Sequence, residues 1–166
     1  MAIFVHLFDA KDKKSIIRSG IKLTKTKNYR IRGVYATPQL SNYELTHQWM
    51  RELRRFNQRI TLAARFRIPD KEQVYIGRFN QKHLLVSASK AIAIASNHHD
   101  GLGLEVIISR TIHPQEIIKI YQPPKITGWR YYPEAHDRKP CGCDYCQRGQ
   151  PYSRKLQTRY EQDLSH

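Results

Sequence analysis

"ITLAARFRIPDKEQVYIGRF" (60–79) sets two strand-like runs back to back. Residues 60–68 and 73–79 are rich in β-branched and aromatic side chains, and the "PDKE" between them supplies the Pro and Asp that favour a turn. Two strands in succession do not fit the regular strand–helix repeat of a parallel sheet. The stretch reads as an antiparallel pair, and the chain as α+β.

Working outward, the elements before residue 58 are mostly helical. "AIFVHLF" (2–8) reads as a strand, and Asp9 is placed to cap a helix, "AKDKKSIIRSG", that stops at Gly20. "GVYAT" (33–37) is a short strand halted by Pro38. Ser41 with Glu44 three residues on forms a capping box. In the helix that follows, Leu45, Trp49, Met50 and Leu53 recur at helical spacing, which marks Trp49 and Met50 as core rather than cofactor contacts. On the other side, "SASKAIAIAS" (87–96) reads as a short helix with an Ala/Ile face. "LEVIISRTI" (104–112) and "EIIKIYQ" (116–122) read as two more strands joined across "HPQ".

A chain of 166 residues has room for one core and a modest appendage. The body is expected over 1–123. Beyond Pro123-Pro124 apolar periodicity fades and all three cysteines appear, so 124–166 reads as a Cys-rich, basic and aromatic extension. Lys and Arg number 29 against 14 Asp and Glu, a formal net charge of +15. The extension holds 8 of those cations and 5 of the acids, so the body carries most of the positive charge. Such an excess attracts polyanions, and nucleic acid is the expected partner. No segment approaches the roughly 20 apolar residues of a membrane span, and the first residues have too short an apolar run for a secretory signal. A cytoplasmic protein is expected.

The cations cluster. Nine fall between Lys11 and Arg32 against the single acid Asp12, and Lys25, Lys27, Arg30 and Arg32, with Arg51, Arg54 and Arg55 on the second helix, are the candidates for holding phosphates. A solvated charged face is the plainer reading of the same run.

Glu105 is the residue out of place in "GLGLEVIISRTI" (101–112). In a period-2 strand it shares a face with Ile107 and Ser109. Taken alone, it could simply face solvent. The glycines before it remove side chains and would let a ligand approach the start of the strand. His6, between Val5 and Leu7, and Tyr35, in "GVYAT", are each ordinary for a strand when read singly.

Taken in order, they form a pattern. "VHLFDAKDKKSIIRSGI" resembles the opening of ADP-ribosyltransferase folds, in which a strand His is followed by a helix ending in "I…GI" or "I…GL". "RGVYAT" is similar to the family's second motif, a Gly-x-Tyr strand, and "GLEVII" to its third, a Glu heading a late strand. The His-Tyr-Glu set spans residues 6–112. The resemblance implies a split antiparallel β-sheet core and NAD as co-substrate. It gives Glu105 the catalytic role, stabilising the oxocarbenium-like state as the nicotinamide–ribose bond breaks. It gives Tyr35 a stacking role on the nicotinamide, with Tyr43 as a second wall, and His6 a hydrogen bond to the adenosine ribose. Phe8 departs from the family, which often has Thr or Ser there. Among members, the nucleic-acid-modifying DarT-like toxins look closest, which implies a bacterial toxin or defence effector and an antitoxin or inhibitor partner. Two other readings of the chain are an RNA 2′-phosphotransferase on the same fold and a non-catalytic basic nucleic-acid-binding module with a zinc knuckle.

"HDRKPCGCDYC" supplies a second constellation. Cys141, Cys143 and Cys146 form a C-x-C-x-x-C knuckle with His136 close enough to be a fourth ligand. A structural zinc and reduced, unligated thiols both fit it.

Overall fold

The computed structural model describes residues 1–24, 31–40, 44–55, 59–79, 81–97 and 103–123. In chain order these form β1 (Ala2–Asp9), α1 (Lys13–Ser19), β2 (Val34–Pro38), α2 (Glu44–Arg55), β3 (Ile60–Ile68), β4 (Gln73–Arg78), β5 (Leu84–Ser87), α3 (Ala88–Asn97), β6 (Leu104–Ile108) and β7 (Ile117–Tyr121). The fold is α+β. The seven strands make one antiparallel sheet in the order β5-β4-β6-β2-β1-β3-β7.

The sheet is continuous in name only. β1 pairs with β3 along its whole length, from Ala2↔Ile68 to Asp9↔Ile60. Its other edge meets β2 at just Phe4↔Pro38 and Val5↔Thr37. Beyond Val5 the two strands part, leaving β7, β3 and β1 as one half and β2, β6, β4 and β5 as the other. The halves turn their apolar faces to a shared core. Phe4, Phe8, Ala64, Phe66 and Ile68 from one half cluster with Val34, Ala36, Val74, Ile76, Val106 and Ile108 from the other, and α1 and α3 add Ile16, Ala88, Ala91 and Ala95. A smaller cluster lies on the far side of β1 and β3, where α2 packs Met50 against Val5, Leu7, Ile60 and Ala63.

β3 and β4 are not a hairpin. Both edges of β3 are taken, by β1 and β7, and both edges of β4 by β5 and β6. The turn between them forms as its composition demands, with Glu72 N–H donating to the Pro69 carbonyl at 3.1 Å. Its carbonyls then serve α3: Asp70 accepts from Ser89 N–H at 3.1 Å and Glu72 from Ala88 N–H at 2.8 Å. These bonds satisfy donors that the first turn of a helix leaves open. The turn thus carries the chain from one half of the sheet to the other. Arg110 fixes it there, donating to both oxygens of Glu72 at 2.7–2.9 Å and to both of Glu116 at 2.6–2.7 Å.

Two further details differ from the sequence reading. The strand at 104–112 ends at Ile108, and Ile112 instead bridges Ile21 after α1. Residues 84–87 form β5, an edge strand with exposed Leu84 and Leu85 that the sequence reading passes over. The extension expected over 124–166 lies outside the described residues. Among those residues no helix is long and apolar enough to cross a membrane.

Candidate active site at the split of the sheet

His6 stands where β1 and β2 diverge. Its Nδ1 lies 2.7 Å from the main-chain carbonyl of Tyr35. A carbonyl only accepts, so Nδ1 carries the proton and the imidazole takes up a bond the parted ladder no longer makes. Burial pulls the His6 pKa below its ordinary value, although the Tyr35 bond and the charge of Asp12 oppose this. The ring is therefore neutral near pH 7 and Nε2 is a lone-pair acceptor. Phe8, where the resemblance expects a hydroxyl, packs its ring parallel to His6 with centroids 6.3 Å apart and planes 9° from parallel. It steadies the imidazole and supplies no hydrogen bond of its own.

Tyr35 and Glu105 share one face of the other half. Tyr35 lies opposite Ile107 in the β2–β6 ladder. Paired residues project to the same side, and Glu105 is two residues from Ile107, so both side chains stand on that side. It is the side turned away from the shared core, to which Val34, Ala36, Val106 and Ile108 belong. By the same alternation His6 goes with Phe4 and Phe8, opposite to Tyr35 and Glu105. Its link to the other two runs through the Tyr35 main chain at the seam. The Tyr35 hydroxyl donates to the Ile31 carbonyl at 2.8 Å, which fixes the tilt of the ring.

α2 pins the residues just before Glu105. Trp49 Nε1 donates to the Leu104 carbonyl at 2.6 Å, and Gly103 N–H donates to Gln48 Oε1 at 2.8 Å. Gly103 has φ +78°, and a Cβ there would meet nothing within 4 Å. The glycine is needed for its left-handed backbone, and the space beside it is open among the described residues. Trp49 and Met50 pack as core, as their spacing indicates.

Glu105 is buried, and removal from water raises its pKa to about 7. Gly77 is its partner in the β4–β6 ladder. In the space where Gly77 lacks a side chain sits the ring of His83, whose Nε2 is 3.1 Å from Glu105 Oε1. His83 Nδ1 is 3.1 Å from the Gln81 carbonyl, so this nitrogen also holds a hydrogen. One more proton must then lie between Nε2 and Oε1. Either His83 is an imidazolium beside a carboxylate, or a neutral ring accepts from a protonated Glu105. Nothing in "NQKHLLVS" singles out His83; only the register that sets Gly77 against Glu105 reveals it.

The remaining candidates divide by position. Arg32 is exposed and Arg51, on α2, is partly buried. Tyr43, Lys25, Lys27, Arg30, the side chains of Arg54 and Arg55, and the knuckle of Cys141, Cys143, Cys146 and His136 lie outside the described residues. Among the described residues no group of three His, Cys, Asp or Glu is placed to hold a metal ion.

Compared with family models, with curated proteins and with solved structures, the chain matches none.

Proposed function

We propose that the chain is an NAD-dependent ADP-ribosyltransferase that transfers ADP-ribose to a nucleic-acid base. The observation that carries this reading is the convergence on Tyr35: His6 bonds its main chain at the seam of a split sheet, and its ring shares a face with a buried carboxylate. Tyr35 and Glu105 suit the dinucleotide from one face: the ring offers a flat surface to a pyridinium, and the carboxylate offers negative charge where a ribosyl cation develops. Low surrounding polarity strengthens that last interaction. His6 lies on the other face, and its Nε2 would meet a sugar hydroxyl only past the end of the β1–β2 ladder.

In the reaction the bond between ribose C1′ and the nicotinamide nitrogen breaks, and its electron pair leaves with neutral nicotinamide. A base nitrogen then bonds C1′ and loses its proton to solvent. Glu105, ionised, stabilises the cationic state and orients the ribose 2′-hydroxyl. A body with most of the +15 charge would draw a polyanionic acceptor towards this site.

Incubation with labelled NAD and separate pools of DNA, RNA and protein tests the reading. Label in a nucleic-acid pool with release of nicotinamide, both abolished by Glu105→Gln, is the expected result. Label in none of the pools and no nicotinamide release would overturn it and favour a binding module. Consumption of 2′-phosphorylated RNA with formation of a cyclic ADP-ribose phosphate would favour the 2′-phosphotransferase.

A further inference from the structure

We infer that His83 is the positioning residue for Glu105: its Nε2 holds Oε1 and keeps the carboxyl group aimed, leaving Oε2 for the sugar. The inference rests on the transferase reading of the same site. Three independent features support it. The imidazole is oriented from behind by the Gln81 carbonyl, which leaves Nε2 directed at Glu105. Both side chains are nearly enclosed, 9% and 11% exposed, so the contact is not a surface ion pair that water would dissolve. The ladder gives the ring its place, because a Cβ on Gly77 would lie 2.9 Å from His83 Cγ and 3.1 Å from its Cα.

Without this contact the carboxyl group would be free to turn about its last bond, and neither oxygen would be fixed towards the sugar. His83 touches neither sugar nor base in this scheme. It acts through Glu105, as the outer partner of a first-contact group does when it fixes orientation.

The test measures nicotinamide release from NAD, with the acceptor pool that takes label, for the wild type, His83→Ala and His83→Gln. The expected loss for His83→Ala is on the order of 100-fold in kcat with KM for NAD within about threefold, because the interaction matters in the transition state. His83→Gln, whose amide can donate to Oε1, should recover most of that loss. Gly77→Ala, which displaces the ring but leaves His83 present, should lower kcat similarly, and adding it to His83→Ala should cost little more. It serves as the second variant should His83→Ala unfold. Wild-type kcat in His83→Ala, or a loss confined to KM, or no recovery in His83→Gln, would overturn the role of His83 while the transferase reading stands. Absence of turnover by the wild type overturns both.

Discussion

His6 donates Nδ1–H to the Tyr35 carbonyl at 2.7 Å across the point where β1 leaves β2. A side chain there does the work of a ladder bond, and its second nitrogen is the one that the proposed function offers to a sugar hydroxyl. The two roles can be separated. In His6→Asn the amide nitrogen stands near the place of Nδ1 and keeps the seam bond, while the Nε2 acceptor is lost. Thermal unfolding of His6→Asn should resemble the wild type, with KM for NAD raised roughly tenfold, about 1.4 kcal/mol. His6→Ala should show the same rise in KM and also lose about 1–3 kcal/mol of stability, the cost of leaving a buried carbonyl unpaired. Equal stability of the two variants would refute the seam role.

Glu105 sets a pH dependence of defined sign. Its folded pKa, about 7, lies above the ordinary carboxylate value of 4.5. Between those values the folded state holds a proton that the unfolded state has lost, so the stability it contributes is full below about 4.5 and falls as pH rises to about 7. Glu105→Gln removes that loss. It should be as stable as the wild type at low pH and more stable by on the order of 2 kcal/mol above pH 7, by denaturant titration at each pH. Nicotinamide release, which needs the ionised form, should rise through about pH 7 in the opposite sense.

Gly103 tests the backbone alone. With φ +78° and no atom within 4 Å of a built Cβ, Gly103→Ala meets only the left-handed penalty of about 1–2 kcal/mol. Chemical denaturation should show a loss of that size. A larger loss would mean that the added methyl group meets a neighbour.

Arg110 joins the β3–β4 turn to the residues before β7. Its guanidinium holds the Glu116 carboxyl below the usual carboxylate range. A carboxylate depressed in this way stabilises the fold above its unfolded pKa, and that stability is lost as pH falls through the folded value. Arg110 is 37% exposed on its side chain, so water screens the pair. Arg110→Ala should cost only about 1–2 kcal/mol near neutral pH, and the difference from wild type should shrink in acid. A difference independent of pH would point to lost packing instead.

The elements were legible in the sequence because periodicity and caps are local. Asp9 does cap the turn it precedes, accepting from Lys11 N–H at 3.1 Å, and α2 buries Leu45 and Met50. Strand partners were not legible. The "PDKE" turn reads as a hairpin loop because its composition fixes a bend and says nothing of what the bend serves; here its carbonyls are spent on α3. The site divides in the same way. Tyr35 and Glu105 could be placed on strands, but their common face depends on the Tyr35↔Ile107 register. His83 is invisible until Gly77 is seen opposite Glu105, since a glycine in a strand advertises room without naming the occupant.

The two register pairs between β1 and β2 make the sheet resemble a book bound by two stitches. Each cover is laced firmly within itself, and what else ties the two together is the shared core and the turn held by Arg110, so the spine is where the ladder itself is thinnest. A change in the angle between the halves would fall first on the pairs of Phe4, Val5, Thr37 and Pro38, with the ladders inside each half left intact.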